Sequence, residues 1–168
     1  GVPTFKFETD DGKFEINLNG RVLWDMGWAS DRDQTMDMSD TEFRAARLSL
    51  KGKLGKHFIY KAEADFAGDD VSVTDAYLQY LGEAGSLRAG QYKTPNSLEE
   101  QTSSRHITFM ERASFTDAFS FSRMTGISYL NNNDNWTVHV GAFRGTSGSS
   151  GEDDSKAYAG RLTYGETF

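Results

Sequence analysis

Residues 14–28, FEINLNGRVLWDMGW, alternate from end to end. Phe14, Ile16, Leu18, Val22, Trp24, Met26 and Trp28 share one parity with Gly20, while Glu15, Asn17, Asn19, Arg21, Leu23, Asp25 and Gly27 share the other. Successive side chains of a strand point to opposite faces, so the pattern predicts a strand with one apolar and one polar side. At about 3.3 Å per residue it is about 50 Å long, well beyond the roughly 5–6 residues usual in globular sheets.

Seven further segments follow the same rule: 43–54, 58–67, 74–81, 86–92, 124–130, 136–143 and 156–164. In 43–54, Ala46, Leu48, Leu50, Gly52 and Leu54 oppose Ala45, Arg47, Ser49, Lys51 and Lys53. In 58–67, Phe58, Tyr60, Ala62, Ala64 and Phe66 oppose Ile59, Lys61, Glu63 and Asp65. Period-two patterning in segment after segment predicts an all-β chain of about eight strands.

The connections sort into two kinds. Those at 55–57, 82–85 and 131–135 are short and rich in Gly and Asn, as tight turns are. Those at 30–42, 68–73, 93–123 and 144–155 are longer. In an antiparallel up-and-down meander, every short turn falls at one end and every long loop at the other. Transmembrane β-barrels of outer membranes have this asymmetry, with aromatic girdles at both interfaces. Phe14, Phe58, Tyr80 and Trp136 lie by the short turns, and Trp24, Trp28 and Phe66 nearer the long loops.

Composition narrows the choice. The 168 residues suit a single domain, 1–168, with one core or one barrel. No stretch is long and apolar enough for a transmembrane helix, which leaves barrel strands open. No signal-peptide pattern opens at Gly1, so the chain is expected to be cytoplasmic or already mature. The absence of cysteine rules out disulfides and thiolate metal sites. His57, His106 and His139 are scattered and enter no recognisable nucleophile or metal pattern, so neither enzymatic activity nor a cofactor is expected.

A net charge of −7 argues against nucleic-acid binding. The distribution of charge is more informative. By parity, Lys13, Arg21, Arg47, Lys51, Lys53, Lys61, Arg88 and Arg161 share the polar face with Glu15, Asp25, Glu63, Asp65 and Asp75. That face is biased positive, while the excess acid lies in loops: Asp31, Asp33, Asp37, Asp40, Asp69, Asp70, Glu152, Asp153 and Asp154. A lumen lined this way favours anions, because low-dielectric walls focus its field.

LNGRVLWDMGW, FRAARLSLKGKLGKHFIYKAEADFA, DAYLQYLG and above all LRAGQYKTPNSLEEQTSSRHITFMERA resemble the phosphate-selective porin O and P family. The resemblance implies a Gram-negative outer-membrane porin, trimeric, with sixteen strands per subunit. The eight strands counted here would be its N-terminal half. It also implies membrane lipid, lipopolysaccharide and small anions such as phosphate and polyphosphate as partners.

The resemblance further implies that the long connection 93–123 folds inward and narrows the pore. Arg105 and Arg112 would line that constriction, held by Glu99, Glu100 and Glu111. Arg21, Arg44, Asp65 and Arg105 fall where the family places charged pore residues, Arg88 stands where a lysine is expected, and Ala45 leaves one basic rung empty. Arg44 has the wrong parity for the lumen unless a bulge re-aims it. SLEEQ is expected to form a helical turn, with Ile107, Phe109 and Met110 available for packing. Two other functions fit the alternation: a general non-selective porin, and a soluble eight-stranded barrel holding an apolar ligand.

Overall fold

The computed structural model describes residues 5–30, 37–103, 106–109, 111–119, 122–146 and 156–165. Arg105, Met110 and the acidic residues of 31–36 and 152–154 lie outside them. Nine strands form one antiparallel sheet in sequence order: β1 (Phe5–Glu8), β2 (Phe14–Ser30), β3 (Asp37–Leu54), β4 (Phe58–Asp65), β5 (Ser72–Gly82), β6 (Gly85–Lys93), β7 (Arg123–Asn132), β8 (Trp136–Thr146) and β9 (Lys156–Tyr164). The sheet is open, with β1 and β9 at its edges.

Eight of these strands are those expected from alternation. The ninth, β1, is too short at 4 residues for period two to single it out, and it pairs with the first half of β2. The connection expected at 30–42 is shorter than its composition suggests. β2 runs on to Ser30 and β3 starts at Asp37, so polar, Asp-rich sequence is recruited into strand. Pairing with the neighbour supplies the backbone hydrogen bonds that local propensity does not demand.

The short connections 9–13, 55–57, 83–84 and 133–135 all fall at one end. The tightest, 83–84, ends in Gly85 at φ +133°, a conformation that side-chain-bearing residues rarely adopt. Aromatic rings gather at this end: Phe58 packs on Tyr80 at 5.3 Å between centroids, and Trp136 on Tyr164 at 4.6 Å.

Burial is inverted relative to a soluble sheet. Val22, Trp24, Met26, Trp28, Leu48, Leu87, Ile127, Val140 and Leu162 are exposed, and Trp28 is 78% so. On the opposite face Ser49, Asp65, Asp75, Gln79, Ser128 and His139 are buried, Asp65 being only 7% exposed. The apolar row therefore points outward and the polar row inward. No helix among the described residues is long and apolar enough to cross a membrane.

Two short helices, α1 (Leu98–Gln101) and α2 (Ser114–Phe119), lie in the 94–122 connection. Ser97 caps α1 by accepting the Glu100 amide, so the expected helical turn forms at SLEEQ. Phe109, expected to pack, is instead 79% exposed. The base of the connection is closed by Thr94, whose amide and hydroxyl both donate to the Ser122 carbonyl.

Candidate functional site

The register of the sheet stacks the inward residues into rows. Arg21 pairs with Arg47 and Arg47 with Asp65, while Asn19, Ser49, Glu63 and Asp75 form the adjacent row across β2 to β5. Like charges side by side are costly, and the structure resolves the conflict by interleaving acids. Arg47 Nε donates to Asp65 Oδ2 at 2.6 Å, and its Nη1 is 3.9 Å from Glu63. Lys61 bridges Glu63 at 3.1 Å and Asp75 at 2.5 Å. Asp75 also accepts from Arg123 Nε at 2.8 Å. Asp65, Arg47, Glu63, Lys61, Asp75 and Arg123 thus form a continuous ionic chain from β3 to β7.

Asp65 also fixes backbone, accepting the Ala46 amide at 2.9 Å and the Ala67 amide at 3.2 Å. A carboxylate with those bonds cannot rotate away from Arg47. Thr74 braces the same band. It is the extra residue where the β4–β5 register shifts, and its hydroxyl donates to the Glu63 carbonyl and lies 2.9 Å from the Glu63 carboxylate.

The 94–122 connection covers this wall. A half-open cavity of about 480 Å³ lies between Asn19, Arg21, Arg47, Ser49, Lys51, Lys61, Glu63 and Asp75 of the sheet and Glu100, Gln101, Ser103, His106 and Arg112 of the connection, with Lys93 and Arg123 at the strand ends. Its cationic lining residues are Arg21, Arg47, Lys51, Lys61, Lys93, Arg112 and Arg123, against Glu63, Asp75 and Glu100. All three acids are engaged in ion pairs. Lys51 lines the cavity and makes no ion pair among the described residues.

The connection is braced from within. Arg112 donates to the Glu99 carbonyl at 3.1 Å and the Thr102 carbonyl at 2.9 Å, and lies 3.6 Å from the Glu100 carboxylate. Lys93 binds the Glu100 carbonyl and its carboxylate. The Glu99 carboxylate accepts the Thr116 hydroxyl at 2.5 Å and the Ala113 amide at 3.0 Å, which holds it below its ordinary pKa of 4.5, the hydroxyl contributing most. Glu100 thus holds Arg112, as expected, whereas Glu111 pairs with Arg44 instead and the Glu99 carboxylate holds the start of α2.

Arg44 reaches the polar side through a bulge. Leu23 pairs with Ala45 but Trp24 pairs with Phe43, leaving Arg44 as the extra residue. Its Nη1 lies 3.3 Å from Asp25 and 2.7 Å from Glu111. Ala45, next to it, is buried opposite Leu23.

The remaining expected residues stand apart from the cavity. Lys53 is at the short-turn end, 3.7 Å from Glu15. Arg161 is on β9, paired in register with His139, and its Nε is buried with no hydrogen-bond partner among the described residues. Arg88 donates from Nε and Nη2 to Gln79 Oε1 and sits 4.5 Å over the Tyr77 ring and 5.2 Å from the Tyr92 ring.

That aromatic patch occupies the inner face of β5 to β8, where Tyr92, Met124 and Phe143 are buried together beside Tyr77. Gly126 and Gly141 make room for it, since a Cβ on either would come within 3 Å of the Phe143 ring. His139 lies 3.0 Å from Ser128 Oγ, which also receives the Tyr92 hydroxyl at 2.7 Å. All three are buried, as a packed polar knot under the ring.

Parity overlooks Lys93 and Arg123. Both carry the parity of the outward row, yet both line the cavity because each sits at a strand end, where the chain turns into the connection. Their signal is charge at the two ends of a long connection rather than alternation.

The chain is 28% identical over 172 residues to an uncharacterized protein of Caulobacter vibrioides, an alignment covering 95% of this chain and 34% of that relative. It therefore spans about a third of the length of the curated relative it matches. Residues 16–166, nearly the whole chain, match the family described as phosphate-selective porin O and P. An inward charged wall, an outward apolar face and this match agree, and the chain belongs to the phosphate-selective porin O and P family.

Proposed function

We propose that this chain forms part of the wall and constriction of a Gram-negative outer-membrane porin that passes small anions, phosphate and polyphosphate among them, by passive diffusion. The observation that carries the reading is the cavity beneath the 94–122 connection, where seven cationic side chains meet three acids and leave a surplus of positive charge. Family membership supports the channel and the outer membrane, and a homotrimer embedded in lipid and lipopolysaccharide is the assembly that goes with this proposal. The charge placement supports the anion.

Arginine forks and lysine ammoniums can replace the hydration shell of an anion in steps. The interleaved acids keep the paired cations from binding too tightly, so an ion that enters can also leave. Charged lining on the inner face also opposes the soluble-barrel alternative, which needs an apolar interior.

Planar-bilayer recording of the full-length protein tests the proposal. Under a salt gradient the reversal potential should show anion preference, and millimolar phosphate should block the current. Lys51→Gln should lower the anion-to-cation permeability ratio about two- to threefold, because it removes a focused charge from the lining. Cation preference would overturn the anion assignment. Anion preference without phosphate block would favour the general porin.

A further inference from the structure

Arg44 is shared between the wall and the connection that covers it. The bulge at Leu23/Trp24 turns it inward, and its Nη1 then lies between Asp25 of β2 and Glu111 of the connection. Glu111 is followed by Arg112, which gathers the Glu99 and Thr102 carbonyls and the Glu100 carboxylate. Through these two neighbours, Arg44 is joined to the braced part of the connection around α1. The other end of that connection is closed at Thr94 and Ser122, 50 residues or more along the chain from Arg44.

We infer that Arg44 is a positioning residue that ties the 94–122 connection to the β2–β3 wall, rather than a rung on which the anion lands. Its guanidinium already lies at 2.7 Å and 3.3 Å from two carboxylates, so an anion arriving there meets two like charges. The bulge that delivers Arg44 serves to reach Glu111, and the cavity is held open at a set width as a result. The inference rests on reading the chain as a porin, but not on which ion it prefers.

The two roles predict opposite behaviour, which single-channel recording of the full-length protein can separate. If Arg44 positions the connection, Arg44→Gln and Glu111→Gln both increase open-channel noise and shift unitary conductance in the same direction. Losing a partly exposed ion pair should shift the occupancy of the held position about two- to fivefold. The double variant should do no more than Arg44→Gln alone, because both remove the same tie to Glu111. The wild-type channel at 1 M salt should approach Glu111→Gln, because the Debye length falls to about 3 Å.

If Arg44 binds the anion instead, Glu111→Gln strengthens phosphate block while Arg44→Gln weakens it, and that result overturns the inference. Glu111→Gln channels indistinguishable from wild type in low salt would overturn it as well. Glu111 is largely exposed, so its substitution leaves folding intact, and the folded, heat-modifiable band on a gel checks this for each variant. Cation preference in the wild type would defeat the anion assignment alone and leave the noise comparison decisive for Arg44.

Discussion

Arg47 and Lys51 share the inner face of β3, yet their surroundings differ. Arg47 is held by Asp65 and Glu63, whereas Lys51 has no ionic partner among the described residues. Half-buried pairs of the first kind set geometry more than they add stability, because desolvation offsets much of the attraction. Arg88 is a third case, with its plane laid on Tyr77 and two of its donors on one Gln79 oxygen. A lysine at that position would keep the charge and lose both the stacking and the fork.

Glu99 has a pH dependence of known sign. Its pKa is depressed by the Thr116 hydroxyl first and the Ala113 amide second, so its contribution is fully present above about pH 4.5 and lost as pH falls through the lower folded value. The protection of the Ala113 amide, its exchange rate relative to an unstructured chain at the same pH, should therefore fall on acidification below pH 4.5, and Glu99→Gln should lower that protection already at neutral pH. An Ala113 amide equally protected at both pH values would contradict the assignment.

Among the elements, the register shifts are the informative feature. They fall at Leu23/Trp24, Glu63/Ala64 and Met124/Thr125, all toward the end of the sheet that carries the long connections. Two of them re-aim Arg44 and Thr74 onto the charged face, a recognised use of bulges at barrel rims. On the aromatic half, glycines do comparable service by letting rings lie against backbone.

A Cβ at Gly126 would stand 2.3 Å from the Ala142 carbonyl and 2.6 Å from Phe143, so Gly126→Ala should destabilise the folded protein by about 1–3 kcal/mol. Gly27→Ala, with nothing within 4 Å, serves as the control. Urea unfolding in detergent measures both. Equal midpoints would show that the ring does not pack against Gly126.

For the whole molecule, the controlling fact is inverted polarity. Trp24, Trp28 and Trp136, the three tryptophans of the chain, all belong to the outward apolar rows and are all exposed. In reconstituted vesicles their fluorescence should be quenched by brominated lipid and resist aqueous acrylamide. Strong acrylamide quenching without a bromolipid effect would place that face in water. The same inversion explains why a chain with net charge −7 can carry a basic inner wall: much of the acid lies in loops, and the five acids of the inner face, Glu15, Asp25, Glu63, Asp65 and Asp75, are each paired with a cation.

Alternation by itself determined the strands, their order as a meander, the sorting of turns and loops, and which side chains share a face. These are local consequences of a period of two, and they identified Arg21, Arg47, Lys51 and Lys61 as inward cations. β1 escaped because four residues carry too little periodicity. The tertiary structure alone decided where parity breaks: the bulge that turns Arg44 inward, and the strand ends that bring Lys93 and Arg123 to the cavity. It also decided which cations are matched by acids and which are not, because ion pairs between Asp75 and Arg123 or Arg44 and Glu111 join residues 48 and 67 positions apart. No local pattern encodes such a partner. Only the register of the sheet and the return of the 94–122 connection across it bring them together.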